Sequence, residues 1–179
     1  MNKLVVILFT LLLQSVSAQV ENDVSIFHRL LIVNSNDELM VVKIANTDFW
    51  VTPGLYQTEN MTIRKGLDSI AATYGVEIER PKLNGVFLLK RDLNGKRSTS
   101  LRNVYRVKTK SVTPKTPNGI EEIRWLSTEE AMELITFPHI NAMVDKIMNS
   151  PNEIWCGTLL QFKENEVWRA KILEEFYSL

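Results

Sequence analysis

The stretch from Trp50 to Val76, W-V-T-P-G-L-Y-Q-T-E-N-M-T-I-R-K-G-L-D-S-I-A-A-T-Y-G-V, carries the spacing that decides the fold. Within it Ile63, Leu67, Ile70, Ala71 and Tyr74 recur at helical intervals and share one face. The other side carries Arg64, Lys65, Asp68, Ser69, Ala72 and Thr73. Thr58, Asn60 and Thr62 are candidate caps for the helix start, and Gly75 suits the left-handed residue that ends it. Gly54, after Pro53, reads as a position where the backbone turns tightly or approaches a neighbour closely.

Working outward, Phe27 to Val33 and Glu38 to Ala45 flank the turn-forming run Asn34-Ser-Asn-Asp37 and predict a hairpin, with a short strand at Phe49 to Val51. Gly85 to Arg91 and Leu101 to Lys110 read as strands joined by a loop at 93–100. A second loop spans Ser111 to Gly119, and Ile120 to Leu126 reads as another strand. Ser127-Thr-Glu-Glu130 has the form of a capping box and predicts a helix through Ile135. A helix follows Pro138, with Ile140, Met143, Val144 and Ile147 on one face. After Pro151 the pattern predicts an irregular piece and then an amphipathic helix over Val167 to Phe176, with Trp168, Ile172 and Phe176 aligned.

The run from Gly54 to Val76 resembles the Nudix box: Gly, five residues, Glu, seven residues, then Arg-Glu-apolar-any-Glu-Glu-any-Gly-apolar. Gly54, Ile70, Gly75 and Val76 match, whereas Asn60, Asp68, Ser69, Ala72 and Thr73 replace the five charged positions. The segment Glu122-Ile-Arg-Trp-Leu-Ser127 is similar to the family's strand leading into its next helix, and the resemblance is strongest over residues 26–148. It implies an α/β fold, a Nudix-like α/β/α sandwich with a mixed β-sheet and the box helix beside the active-site cleft.

In that family the resemblance implies pyrophosphohydrolase chemistry on nucleoside diphosphate derivatives, with divalent metal held by box glutamates. Such metals require hard oxygen ligands. Ala72 offers none, and the neutral hydroxyls of Ser69 and Thr73 are poor Mg²⁺ ligands. No cofactor is therefore expected, and Mg²⁺ or Mn²⁺ enters only if relocated carboxylates, with Glu59, Asp68 and Glu122 as candidates, restore a hydrolase. Asp68 also reads as a helix-surface partner of Arg64 or Lys65, and strand alternation would turn only one of Glu121 and Glu122 inward.

Residues 82–115 hold ten basic side chains against one acid, Asp92. Arg106, Lys108 and Lys110 alternate with Tyr105 and Val107, so one strand face would be cationic and suited to an anion. Arg91, Tyr105, Arg106 and Lys108 are the candidate ligand-binding residues. No aromatic-rich platform accompanies the charge, which argues against nucleic acid as the partner. His28 and His139 have no Cys or His neighbour at metal-ligand spacing and read as structural. Asn60-Met61-Thr62 is a glycosylation sequon.

Met1-Asn2-Lys3, the apolar run Leu4 to Leu13 and the small-residue end at Ala18 form the pattern of a secretory signal peptide. A bilayer-spanning helix needs about 20 apolar residues, so cleavage after Ala18 and release into a periplasmic or extracellular space is expected, without a stable membrane anchor. Residues 19–25 read as a flexible arm and 26–179 as a single domain. Without Lys3 the chain holds 20 basic and 21 acidic residues, so its overall charge names no partner. Cys156, the only cysteine, can form no internal bridge and reads as a small buried apolar residue.

Together these features predict an exported Nudix-like domain with a degenerate box, a pseudoenzyme acting as a binding or scaffold domain for a nucleotide-like or other anionic ligand. The alternatives are an active pyrophosphohydrolase using relocated carboxylates, and a domain that binds an unidentified protein partner without a small ligand.

Overall fold

A computed structural model describes residues 24–110 and 113–179. The signal-peptide reading of 1–18 lies outside these residues, and of the 19–25 arm only Val24 and Ser25 fall within them. In chain order the elements are β1 (Ser25–Val33), β2 (Leu39–Ile44), β3 (Trp50–Val51), β4 (Gly54–Tyr56), α1 (Ile63–Thr73), β5 (Lys82–Leu93), β6 (Lys96–Lys108), β7 (Ile120–Leu126), α2 (Thr128–Leu134), α3 (Pro138–Asn149), β8 (Trp155–Glu164) and β9 (Val167–Ser178).

The strands form one mixed sheet in the order β3-β2-β1-β6-β5-β8-β9, with β4 also paired to β1 and β7 to β2. The pairs β1–β6 and β5–β8 are parallel. Helix α1 covers one face, and α2 and α3 cover the other, giving the α/β/α sandwich. Strand β1 is buried on both faces, which is why Leu30-Leu-Ile-Val33 is an unbroken apolar run. Leu31 and Val33 join Phe87, Leu89, Val104, Met143 and Ile147 under α3. Leu30 and Ile32 join Leu67, Ile70, Tyr74, Tyr105 and Val107 under α1.

Local chemistry sets the element ends. Asn34 Oδ1 accepts from the backbone N–H of Asn36 (2.9 Å) and Glu38 (3.0 Å), closing the β1–β2 turn. Thr62 caps α1 by accepting from the Lys65 N–H. Gly75, at φ 63°, ends the helix in a Schellman arrangement: its N–H donates to the Ala72 carbonyl, and that of Val76 donates to Ala71. Ile63, on the expected buried face, is 51% exposed, because it occupies the first turn beyond the sheet's reach. The Ser127–Glu130 capping box is fully formed.

Two C-terminal expectations fail. The irregular piece after Pro151 is largely strand β8, and Val167 to Phe176 is strand rather than helix. A spacing of four is compatible with a strand as well, since even offsets return to one side of a pleat. Trp168 packs on Phe137 and Phe176 on Phe87, on the α3 side, while Ile172 is exposed. The turn that commits this segment is Asn165-Glu166, both at positive φ (50° and 61°), a two-residue hairpin connection. The predicted loop at 93–100 likewise shrinks to Asn94-Gly95, with φ of 55° and 79°, and the flanking residues extend β5 and β6.

Candidate anion-binding site

All nine strands, with Tyr74 at the end of α1 and the start of α3, line a cavity of about 490 Å³. Parallel pairing sets Phe27 of β1 opposite Arg102 of β6, and Arg91 of β5 opposite Gln161 of β8. Arg29 lies two residues along β1 from Phe27 and therefore faces the same way. Phe137 and His139, from the start of α3, and Trp168 of β9 complete that side. Gly54 makes room for it: a Cβ there would sit 2.5 Å from the Phe27 ring and 2.6 Å from the His28 carbonyl oxygen. Its role is close approach of β4 to β1, where it pairs with Arg29, rather than a turn.

Arg29 and Arg102 are 4% and 2% exposed. Arg29 Nη1 donates to the Thr52 carbonyl (2.8 Å) and to Thr52 Oγ1 (2.6 Å), while Arg102 Nε donates to Ser100 Oγ (2.9 Å). Arg91 Nη2 donates to the Tyr56 hydroxyl at 2.8 Å. The Arg29 and Arg102 guanidinium carbons lie 5.1 and 4.6 Å from the Phe27 ring centroid, a cation–π contact for each. Arg29 Nε, Arg91 Nε and Arg102 Nη2 are buried and make no hydrogen bond to the described residues. None of the described residues lining the cavity is Asp or Glu.

Three cations with no acid among the described lining residues leave a clear electrostatic mark. Burial, followed by the Arg102 charge, lowers the Arg29 guanidinium to about 9, and burial lowers Arg102 to about 10. Both remain charged at neutral pH. His139, 4% exposed, is pushed well below the usual imidazole value by burial and then by Arg29, Arg102 and Arg91. It is neutral, and its Nδ1 makes no hydrogen bond. Burial raises the Tyr56 phenol, yet the Arg91 hydrogen bond and the Arg102 charge outweigh that and hold it below its ordinary value.

No protein-family model and no curated protein sequence matches the chain. Among solved structures it is similar to a MutT protein from Bacillus halodurans (TM-score 0.66, 16% identity, 84% of this chain and 98% of that one). It is also similar to a Nudix hydrolase from Nitrosomonas europaea (TM-score 0.61, 14% identity, 79% and 80% covered). An ADP-ribose pyrophosphatase from Streptococcus suis aligns at TM-score 0.53 and 8% identity, over 79% of this chain and all of that one. The chain has the Nudix fold.

The five box positions that lack the motif's charges lie on α1 and just before it, and none lines the arginine cavity. Asn60, Asp68, Ser69, Ala72 and Thr73 are all exposed. Asp68 pairs with Arg64 at 3.0 Å, and the Thr73 hydroxyl donates to the Ser69 carbonyl at 2.8 Å. Of the other carboxylates, Glu59 is exposed, Glu122 pairs with Arg124 at 2.6 Å, and Glu121 pairs with Lys43 at 2.8 Å. No three His, Cys, Asp or Glu side chains among the described residues come together as metal ligands. The donor set on α1 does not fit the divalent metal of Nudix hydrolysis, since Ala72 has no ligand atom and Ser69 and Thr73 offer only neutral hydroxyls.

Of the four candidate ligand residues, Arg91 alone lines the cavity. Tyr105 is buried under α1, Arg106 lies at the opposite end of β6, across from Lys82, and Lys108 pairs with exposed Asp37 at 3.7 Å. Arg29, Arg102 and His139 were not singled out for binding. The available signal was Arg29 itself, a cation set directly before the apolar run Leu30 to Val33.

Proposed function

We propose that this domain is an exported, non-catalytic binding module that holds a nucleotide-like or other phosphate-bearing anion through arginine rather than through metal. One observation carries the reading: Arg29, Arg91 and Arg102 converge on a cavity with no carboxylate among the described residues that line it. Burying a guanidinium without a counter-charge is unfavourable by several kcal/mol, on the order of the desolvation it suffers. An anion entering the cavity supplies the missing charge and meets N–H groups that are already oriented. The cavity volume lies within the range of small-molecule sites, about 300–1,000 Å³. The substitutions on α1 support absence of turnover, since the box helix retains its packing face and offers no ligand set. The signal-like sequence at 1–18 supports export.

Calorimetric titration of the chain from Gln19 onward with pyrophosphate, ADP and ADP-ribose, in Mg²⁺ and in EDTA, tests this reading. Binding of equal strength in both buffers, with no product formed, is the expected result. Metal-dependent turnover that disappears in Asp68→Ala would replace it with the hydrolase alternative. Absence of binding to every anion would leave a protein-partner role.

A further inference from the structure

Strand β9 is the last in the sheet order, so only β8 pairs with it and its outer edge is open among the described residues. It is 12 residues long and contains neither Pro nor Gly, whereas β3, at the opposite edge, has two residues. A long open edge presents a row of unpaired N–H and C=O groups that templates the addition of another strand. Nine large hydrophobic side chains are exposed among the described residues, and Val167, Ile172, Leu173 and Tyr177 lie on β9, with Leu179 directly after it. Exposed apolar surface gathered on one strand, rather than scattered singly, marks an interaction site.

Charge identifies the occupant. Arg169 and Lys171 stand in the first half of β9, and Glu174 and Glu175 in the second. Charges placed only to repel a neighbouring strand would share one sign, but here the two signs are segregated. A second β9 laid alongside in parallel sets like charges opposite one another, while an antiparallel one sets base against acid. Two of the four charges have local partners: Arg169 Nε lies 3.5 Å from Glu164, and Glu174 accepts from Thr158 Oγ1 at 2.7 Å. Lys171 and Glu175 are exposed, and neither enters an ion pair among the described residues. A two-fold axis at Leu173 brings Lys171 of each copy opposite Glu175 of the other, and Arg169 opposite Tyr177. Two register shifts against β8 fall between Ile172 and Tyr177 and bend the strand there. The charge pairs, rather than a long unbroken ladder, therefore set the register.

We propose that β9 is a dimerisation edge and that its occupant is β9 of a second copy of this chain, antiparallel about a two-fold axis near Leu173. The two-residue β3 is too short to serve as a second template, so the pairing closes at two chains and does not propagate. It is independent of what fills the cavity.

Sedimentation of the chain from Gln19 onward, over a series of concentrations, tests the pairing in wild type, Lys171→Glu, Glu175→Lys, an equimolar mixture of these two variants, and the double variant. Circular dichroism checks that each is folded. Wild type is expected to reach the mass of two chains. Each single variant sets like charges together at both contacts and should weaken the dimer at least about tenfold. The mixture joins a chain that is acidic at both positions to one that is basic at both, and should recover dimers within about threefold of wild type. The double variant, with the signs exchanged, should do the same. Amide exchange across Val167–Ser178 should slow as protein concentration rises. A wild-type chain still monomeric at about 1 mM overturns the proposal. So does a dimer indifferent to both single variants, a loss that mixing does not restore, or assembly beyond two chains.

Discussion

Replacing Arg102 with Met should make the ligand-free domain more stable while abolishing anion binding, the reverse of what removing a structural arginine would do. Arg102 is 2% exposed, and burial holds its guanidinium at about 10, well below its ordinary value. A depression of more than two units corresponds to roughly 3 kcal/mol of destabilisation of the charged form. Because the group is a base with a lowered folded-state value, this destabilisation is fully present below about pH 10 and fades as pH rises toward the unfolded value. Against it stand the hydrogen bond to Ser100, about 1 kcal/mol, and the contact with Phe27, about 1 kcal/mol. Met has similar length and no charge, so Arg102→Met should gain about 1 kcal/mol, or about 2–4 °C in melting temperature for a domain of this size. Calorimetric melting of wild type and variant, each with and without saturating pyrophosphate, measures both effects. Pyrophosphate should raise the wild-type melting temperature and leave that of the variant unmoved. A variant that melts several degrees lower and still responds to pyrophosphate would refute the argument, because Arg102 would then be a structural strut with no part in binding.

Three further outcomes follow from the same geometry. Gly54→Ala places a methyl group within 2.6 Å of the Phe27 ring and the His28 carbonyl oxygen. Displacing that ring should cost about 1–3 kcal/mol in urea unfolding and weaken pyrophosphate binding, whereas unchanged stability would contradict the close-approach role. His139 stays neutral when folded but takes up a proton in the unfolded chain, so stability should fall as pH drops below about 6.5, by at most about 1.4 kcal/mol per pH unit. His139→Asn should flatten that slope between pH 5 and 6.5 in unfolding titrations. Restoring Glu at positions 69, 72 and 73 should create Mn²⁺ affinity detectable by paramagnetic resonance, since these positions are exposed on α1 and on its last two turns. Failure of a correctly folded triple variant to bind Mn²⁺ would mean that the helix lacks the box geometry.

The core was legible in the sequence because its signals are local and redundant. Gly75, Thr62 and the Ser127–Glu130 pair act within a few residues, and the apolar run in β1 states its two-sided burial directly. The last hairpin was not legible, since Trp168, Ile172 and Phe176 satisfy helix and strand spacing alike. What decides between them is pairing with β8 and a turn, Asn165-Glu166, that lacks glycine. The cavity was harder still. Arg29, Arg91, Arg102, His139 and Trp168 are scattered over five elements, and only the sheet order brings them together. The count of basic residues over 82–115 marks a cationic stretch of sequence and no more. It could not tell Arg102, which alternation turns into the cavity, from Lys108, which pairs with Asp37 at the other end of the same strand.

The division between the two sides of α1 explains how the fold forms without the charged residues of the Nudix box. Leu67, Ile70, Ala71 and Tyr74 are buried against the sheet, and each large apolar side chain among them contributes about 1.5–3 kcal/mol through burial. The box positions at 68, 69, 72 and 73 face solvent, where exchanging a charge for a neutral side chain typically changes stability by no more than about 0.5 kcal/mol. Selection for metal binding could therefore lapse at those sites without unfolding the domain. Arginines at 29 and 102 are a different matter, because they are buried and destabilise the empty protein. A domain with no use for an anion would gain stability by replacing them, so their presence in a cavity with no acid among its described lining residues supports the proposal that an anion fills it.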